Sequence, residues 1–163
     1  MPAVSEPLGP SLPHTWRPLG VRLAMLFFGG LLALVCVAAW IAVGPEVRAR
    51  VTVYQQATIL LIAAMAAAVA WGLVRCRVTA TDAGLEVVNG YRRHAYEWAE
   101  VLAVRLPQGA PFATLDLADG TSAMALAIQS ADGDRARVAV RELRVLVERI
   151  SSQSLQRPDP PAD

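Results

Sequence analysis

The sequence has no lysine, few charges and few cysteines, and each scarcity excludes a class of protein. All fifteen basic residues are arginine, and the formal net charge is +1. Nucleic-acid-binding domains are typically strongly basic, with a pI of about 9 or above, so we expect no nucleic-acid partner. Charged residues make up 18% of the chain and hydrophobic residues 55%, which excludes an intrinsically disordered protein. Two cysteines, Cys36 and Cys76, cannot form a disulfide framework, and we expect both thiols to be reduced.

The apolar residues are concentrated in two long runs. Residues 23–43 include 21 positions without a charge, and residues 51–74 include 24. With a rise of about 1.5 Å per residue, a helix of either length crosses a hydrocarbon core of about 30 Å. The intervening segment, residues 44–50, contains a Gly-Pro pair and three charged residues, as expected of a loop. We therefore predict a transmembrane hairpin over residues 19–74, with spans at 23–43 and 51–74.

A cleaved signal peptide is the main competing interpretation of the first run. Arg17 and Arg22 would form its basic segment, and Val37-Ala38-Ala39 resembles a cleavage site. The run is, however, longer than the usual apolar segment of a signal peptide, which has about 7–15 residues. Helices in the core of soluble proteins rarely reach about 18 uncharged residues either. These lengths favour two membrane spans.

The arginines that flank the spans predict the orientation. Four lie on the side of the chain termini and two lie in the short loop, where Glu46 partly offsets them: Arg17, Arg22, Arg75 and Arg77 against Arg48 and Arg50. Cytoplasmic segments carry the excess of basic residues in membrane proteins. We therefore predict a multi-pass protein of the cell membrane with both termini in the cytoplasm.

The two predicted spans contain no Asp, Glu, Lys, Arg or His. Because such residues inside a membrane mark proton and ion pathways, their absence from residues 23–43 and 51–74 argues against a transporter. The second span is rich in alanine, and the first contains Gly29-Gly30, so close helix packing is expected. The sequence favours packing within one chain, and it leaves a homo-oligomer open.

The two ends of the chain are rich in proline. Residues 1–18 contain five prolines and residues 151–163 contain three, and we predict that both segments are disordered. His14 stands alone in the first segment, so we do not expect it to bind a metal.

From Arg75 onward the pattern changes to alternating strands with two hairpin signals. Asn89-Gly90 and Asp119-Gly120 are both typical of two-residue turns. A two-residue turn at the first would place Glu86 opposite Arg93, although the mixed faces leave this register open to a bulge. At the second it would pair Ala113 with Leu126 and Leu115 with Met124, all on one apolar face. Trp98, at the head of a strand, is predicted to lie in the core.

After Asp132-Gly133 the apolar residues recur every three or four positions, which predicts an amphipathic helix that packs on the sheet. Its apolar stripe consists of Ala136, Ala139, Val140, Leu143, Leu146, Val147 and Ile150. Residues 75–150 thus read as an α+β domain: a small antiparallel sheet or barrel of six or seven strands with one C-terminal helix.

These residues carry a resemblance to a known family. The segment RVTATDAGLEVVNGYRRHAYEWAEVLAV, the hairpin LDLADGTSAMAL and the terminal helix resemble bacterial pleckstrin-homology (PH)-like domains, in particular the low molecular weight protein antigen 6 type of actinobacteria. Those proteins place two transmembrane helices before the domain, and Trp16-Arg17-Pro18 fits their entry pattern. The resemblance implies a bent antiparallel sheet capped by the helix, and no enzymatic activity.

The residues themselves offer little for catalysis. His94 is the one neutral-pH base of residues 75–150, and no cysteine lies near it in sequence. Ser122 and Ser130 have no nucleophile motif around them, and no phosphate-binding glycine loop or metal motif is present. We therefore predict no catalytic residues, no cofactor, no metal and no enzyme.

Lipid contact is the binding role that the arginines suggest. Arg75, Arg77, Arg92 and Arg93 are candidate contacts for anionic lipid, at about 1 kcal/mol each. The competing interpretations are that Arg75 and Arg77 only end the span and that Arg92 and Arg93 form a solvated edge. Many eukaryotic PH domains hold phosphoinositides with basic residues near the first strand pair. Here the first loop, residues 81–84, contains Asp82, which argues against that specificity.

We predict that the protein presents a non-catalytic PH-like module at the inner leaflet, where it binds a membrane or cytoplasmic protein, or lipid. An exposed strand edge would accept a partner strand. The alternative is a membrane-assembly or transport accessory in which the transmembrane hairpin is the working part.

Overall fold

The computed structural model describes residues 9–155, which form two compact units. One is a helical hairpin, Leu19–Arg75. The other is a domain built from the chain on both sides of that hairpin, within residues 9–18 and 76–155. Residues 1–8 and 156–163, which belong to the segments predicted to be disordered, lie outside the described residues.

The helical hairpin contains two long helices, α1 (Leu19–Ala42) and α3 (Val53–Arg75), joined through the short α2 (Pro45–Arg50). Their bounds lie within a few residues of the predicted spans, and both are long and apolar enough to cross a membrane. Arg22 donates from Nη2 to the Val74 carbonyl oxygen at 3.1 Å, which joins the start of α1 to the end of α3. Arg48 donates to the Val43 carbonyl oxygen at 2.7 Å and satisfies an acceptor at the end of α1.

The domain consists of two antiparallel sheets and one helix. The first sheet has the order β1-β2-β3-β4 and the second has the order β5-β6-β7. The strands are β1 (His14–Trp16), β2 (Arg77–Ala80), β3 (Gly84–Asn89), β4 (Arg92–Glu97), β5 (Val101–Arg105), β6 (Phe112–Leu117) and β7 (Ser122–Gln129), followed by α4 (Asp134–Leu155). The predicted α+β class with a C-terminal helix is confirmed.

The first strand lies where disorder was predicted. Residues 14–16 pair antiparallel with β2, so that Trp16 lies opposite Val78. Trp16 is buried, and its Nε1 donates to the Glu142 carboxylate on α4 at 2.9 Å. The prediction of disorder is therefore wrong for residues 14–16. Strand β1 has only three residues, and its partner β2 begins after the helical hairpin, so no local sequence pattern predicts β1.

The core fills the space between the sheets and α4. Trp98 belongs to it as predicted, and its Nε1 donates to the Thr81 carbonyl oxygen at 2.9 Å. The predicted apolar stripe of α4 is buried, except that Ile150 is only partly covered. The helix extends to Leu155, so the prediction of disorder is wrong for residues 151–155. No glycine or proline interrupts the helix before Pro158, which explains why it continues.

The pairing of β6 with β7 differs from the predicted register by one residue. Leu115 lies opposite Ala123 rather than Met124, and Ala113 lies opposite Ala125. The turn has three residues instead of two, because Gly120, at φ +82°, forms the bulge that follows a type I turn. A shift of one residue exchanges the faces of a strand. The face of β7 predicted to be polar is therefore the buried one at Ala125, and Met124 is 60% exposed.

Candidate functional site

The start of β2 and the β3–β4 turn lie together at one end of the domain. Cys76 is the first residue after α3, and its Sγ accepts a hydrogen bond from the Gly90 N–H at 3.2 Å. Because β2 and β3 are antiparallel, Arg77 pairs with Val88, next to the turn. We call Cys76, Arg77 and residues 90–92 the hairpin-proximal end of the domain; residues 90–92 are the β3–β4 turn and the first residue of β4.

The β3–β4 turn is displaced from its predicted position. Asn89 pairs with Arg92, so Gly90 and Tyr91 are the turn residues, and Gly90 has a φ of +64°. The Asn89 amide explains the shift, since its Nδ2 donates to the Met124 carbonyl oxygen and its Oδ1 accepts from the Leu126 N–H at 3.0 Å. These two bonds tie Asn89 to β7 and hold it in β3.

Two of the four predicted lipid contacts share one carboxylate. Arg77 Nη2 lies 3.1 Å from Glu86 Oε1, and Arg93 Nη2 lies 2.8 Å from Glu86 Oε2. Glu86 is opposite Ala95, so its predicted pairing opposite Arg93 is wrong and the contact is diagonal. Glu86 thus offsets one of the two positive charges and directs both guanidinium groups along the sheet.

The other two predicted contacts have different surroundings. Arg75 is the last residue of α3. Arg92 follows the β3–β4 turn and is exposed, and within residues 9–155 no acidic group forms an ion pair with it. Because successive residues of a strand point to opposite faces, the Arg92 side chain lies on the face opposite to the one from which Arg93 reaches Glu86. Arg92 is the arginine of the domain's hairpin-proximal end whose charge is least compensated.

Exposed apolar side chains at the same end were missed by sequence reasoning. In the described part of the domain, the large apolar side chains that are exposed are Tyr91, Leu102, Met124 and Val138. Tyr91 is a turn residue and is 65% exposed, and Met124 is the residue whose carbonyl group binds Asn89. The predicted register buried Met124, while Tyr91 carried a weak signal as an aromatic residue beside a hairpin turn.

The strand edges offer limited room for a partner strand. Asn89 occupies part of the β7 edge. On β5, Arg144 Nε donates to the Val104 carbonyl oxygen at 2.7 Å, beside a groove of about 300 Å³ between β5 and α4. The β4 edge is lined by charged residues, a feature that protects natural sheet edges from pairing. Strand addition therefore has less support than the sequence alone suggested.

A polar groove of the domain lies along β3 and β4. It has a volume of about 590 Å³ and includes Glu86, Glu97 and Glu100 with Tyr96. Burial, and then the negative charges of Glu100 and Asp119, raise the pKa of Tyr96, so its phenol stays protonated at neutral pH. The His94 ring stacks on the Tyr96 ring at 6.2 Å and is exposed. This arrangement supplies no activated nucleophile.

Comparison with known proteins agrees with the observed fold. The bacterial PH domain family matches residues 75–145. Uncharacterized proteins of Mycobacterium bovis and Mycobacterium tuberculosis are 32% identical over 140 residues, which is 84% of this chain and 86% of theirs. A match of that extent necessarily includes most of both long helices. No solved structure matches the chain significantly.

The family match starts at Arg75, the last residue of the helical hairpin, whereas the observed domain also includes β1. The strands and the helix that follow have the order expected from the resemblance described above. On both grounds, sequence similarity and architecture, the chain belongs to the bacterial PH domain family.

Proposed function

We propose that this protein is a non-catalytic binding module, tethered to the cell membrane by the helical hairpin and presenting its PH domain at the inner leaflet. The observation that carries the proposal is the pairing of β1 with β2. The two strands are neighbours in one sheet, yet the whole helical hairpin lies between them in sequence.

This pairing constrains how the hairpin crosses a membrane. The chain leaves the domain after Trp16 and re-enters the same sheet at Arg77, so the segments before and after the helical hairpin belong to one domain. Two crossings return the chain to the side from which it started, whereas one crossing would separate β1 from β2. The pairing also argues against signal-peptide cleavage after residue 39, since cleavage would remove Trp16 from the core.

The arginine distribution supports the cytoplasmic side. Arg17 and Arg22 precede or begin α1, and Arg75 ends α3. In the loop on the other side, Arg48 donates to carbonyl groups at the end of α1, so part of its charge serves to cap that helix. Under the positive-inside rule, this distribution supports a cytoplasmic location of the domain.

Family membership supports a binding role rather than catalysis, because the module belongs to the PH domains. A surface of the domain available for binding includes the β3–β4 turn, which is hydrogen-bonded through the Gly90 N–H to Cys76, the first residue after α3.

The proposal is tested by topology mapping of the full chain in bacterial membranes. Reporters active only in the cytoplasm are fused to the N-terminus in one version and to the C-terminus in another. We expect both to be active, and the protein to stay in the membrane fraction after alkaline carbonate washing. Activity of only one fusion, or release of the intact chain by carbonate, would contradict the tether.

A further inference from the structure

We propose that the hairpin-proximal end of the domain is a contact surface for anionic phospholipid, in which Tyr91 enters the interface and Arg92 binds phosphate. This inference rests on the proposed function, because it requires the helical hairpin to lie in a bilayer. Among the three candidate arginines of the domain it selects Arg92 as the principal contact, and it adds an aromatic residue that the sequence reasoning did not single out.

The chain itself sets the position of this surface. The apolar run of α3 ends at Val74, and Arg75 is the last residue of the helix. Cys76 follows it directly and accepts the hydrogen bond from the Gly90 N–H at 3.2 Å. The headgroup layer adds about 5–8 Å to each side of the hydrocarbon core. A turn bonded to the first residue after the span is therefore held within reach of the headgroups.

The side chains of the turn suit that layer. Tyr91 is 65% exposed, which is unusual for a large aromatic side chain in water. Tyrosine is enriched at membrane interfaces because its ring is apolar and its hydroxyl is polar. Met124, which is 60% exposed, lies on the strand segment that Asn89 binds, so it extends the apolar surface next to the turn.

The charges select Arg92 among the three candidate arginines of the domain, Arg77, Arg92 and Arg93. Arg77 and Arg93 both engage Glu86, and their side chains are directed along the sheet. Arg92 is exposed, and no ion pair involves it among the residues that the structure describes. A guanidinium group presents paired N–H donors that match a phosphate group.

The acidic loop that argues against phosphoinositide specificity lies away from the proposed surface. Asp82 lies in the turn between β2 and β3, whereas Tyr91 lies in the turn between β3 and β4. Successive turns of an antiparallel meander lie at opposite ends of the strands, so the Asp82 carboxylate is remote from this surface. Asp82 therefore disfavours a headgroup-specific pocket only near the β2–β3 turn. It does not oppose a general preference for anionic lipid at the β3–β4 turn.

The test uses the full chain in nanodiscs of phosphatidylcholine, alone or with phosphatidylglycerol, and measures amide hydrogen exchange of residues 88–93. We expect phosphatidylglycerol to slow exchange in the turn about fivefold, which corresponds to about 1 kcal/mol for one arginine. Arg92→Ala removes this difference between the two lipids. Arg93→Ala is the matched control and retains it, and Tyr91→Ala speeds exchange in both lipids.

The outcomes separate this inference from the proposed function. Protein that fails to co-elute with nanodiscs contradicts the membrane tether, and the lipid surface with it. Protein that co-elutes but shows equal exchange of the turn in both lipids contradicts the lipid surface alone. Equal effects of Arg92→Ala and Arg93→Ala would overturn the assignment of Arg92.

Discussion

Replacing Trp16 by alanine tests whether the strand before the helical hairpin belongs to the PH domain. Trp16 is 7% exposed, and its indole N–H donates to the Glu142 carboxylate at 2.9 Å. Burial of an aromatic side chain removes about 150–250 Å² from water, worth about 4–6 kcal/mol at about 25 cal/mol per Å². Substitutions of this kind in protein cores cost about 3–5 kcal/mol. We expect Trp16→Ala to lower the free energy of unfolding by about that amount.

This loss is a large part of the stability of such a domain, since natural domains are stable by about 5–15 kcal/mol. The assay is pulse proteolysis of the full chain in detergent micelles along a urea series, with the intact domain detected through a C-terminal tag. A urea dependence of about 1–3 kcal/mol per M means that the midpoint falls by at least about 1 M.

Thr15→Ala is the matched control. Thr15 precedes Trp16 in β1 but is exposed, and its hydroxyl group donates to Thr79 Oγ1 at 3.2 Å. We expect this variant to lose no more than about 1 kcal/mol, the usual value of one hydrogen bond. Equal midpoints for Trp16→Ala and Thr15→Ala would refute the inclusion of β1 in the domain.

Three further substitutions test local features. Asn89→Ala removes both bonds to β7 and is expected to cost about 1–3 kcal/mol, read from urea unfolding, and an unchanged midpoint would argue against this link between the sheets. Gly84→Ala places a methyl group against the Tyr96 carbonyl oxygen and should cost at least about 1–3 kcal/mol in thermal unfolding, whereas wild-type stability would disprove the close approach. Thr121→Val removes the hydroxyl donor that contributes most to lowering the pKa of Asp119, so an NMR titration should find that pKa closer to 3.8, and no movement would contradict the assignment. Because the folded-state pKa of Asp119 is lowered, its contribution to stability is present above the unfolded-state pKa and is lost as the pH falls through the folded-state pKa.

The helices could be predicted closely because their signals are local. The absence of charge over residues 23–43 and 51–74 delimits α1 and α3 to within a few residues. The apolar stripe of α4 follows in the same way from its spacing of three and four residues.

The registers could not be predicted because they depend on distant contacts. Asp119-Gly120 fits both a two-residue turn and a three-residue turn with a bulge, and the choice decides which face of β7 is buried. Asn89-Gly90 is the same kind of signal, yet bonds from Asn89 to another sheet move the turn to Gly90 and Tyr91. The local sequence indicates neither the choice of turn at Asp119-Gly120 nor the bonds that Asn89 forms.

The candidate site could be predicted only in part, because its geometry also depends on the pairing of the strands. The arginines are visible in the sequence, but Glu86 selects two of them only after β2, β3 and β4 have paired. The exposure of Tyr91 and Met124 likewise follows from the register. β1 escapes prediction altogether, because three residues carry too little pattern to be recognised without their partner strand.

The central claim is that β1 and β2 pair in one sheet although the helical hairpin separates them in sequence. The most direct test is a disulfide between Thr15→Cys and Thr79→Cys. The two positions are paired, with their hydroxyl oxygens 3.2 Å apart. The substitutions are placed in the full chain, with Cys36→Ser and Cys76→Ser, and membranes are treated with a mild oxidant. The account predicts an intramolecular disulfide, seen as a mobility shift that a reductant reverses, while a control pair of Thr15→Cys with Asp82→Cys shows none. A chain that remains unlinked under the same oxidation, or that links equally in the control, would contradict it.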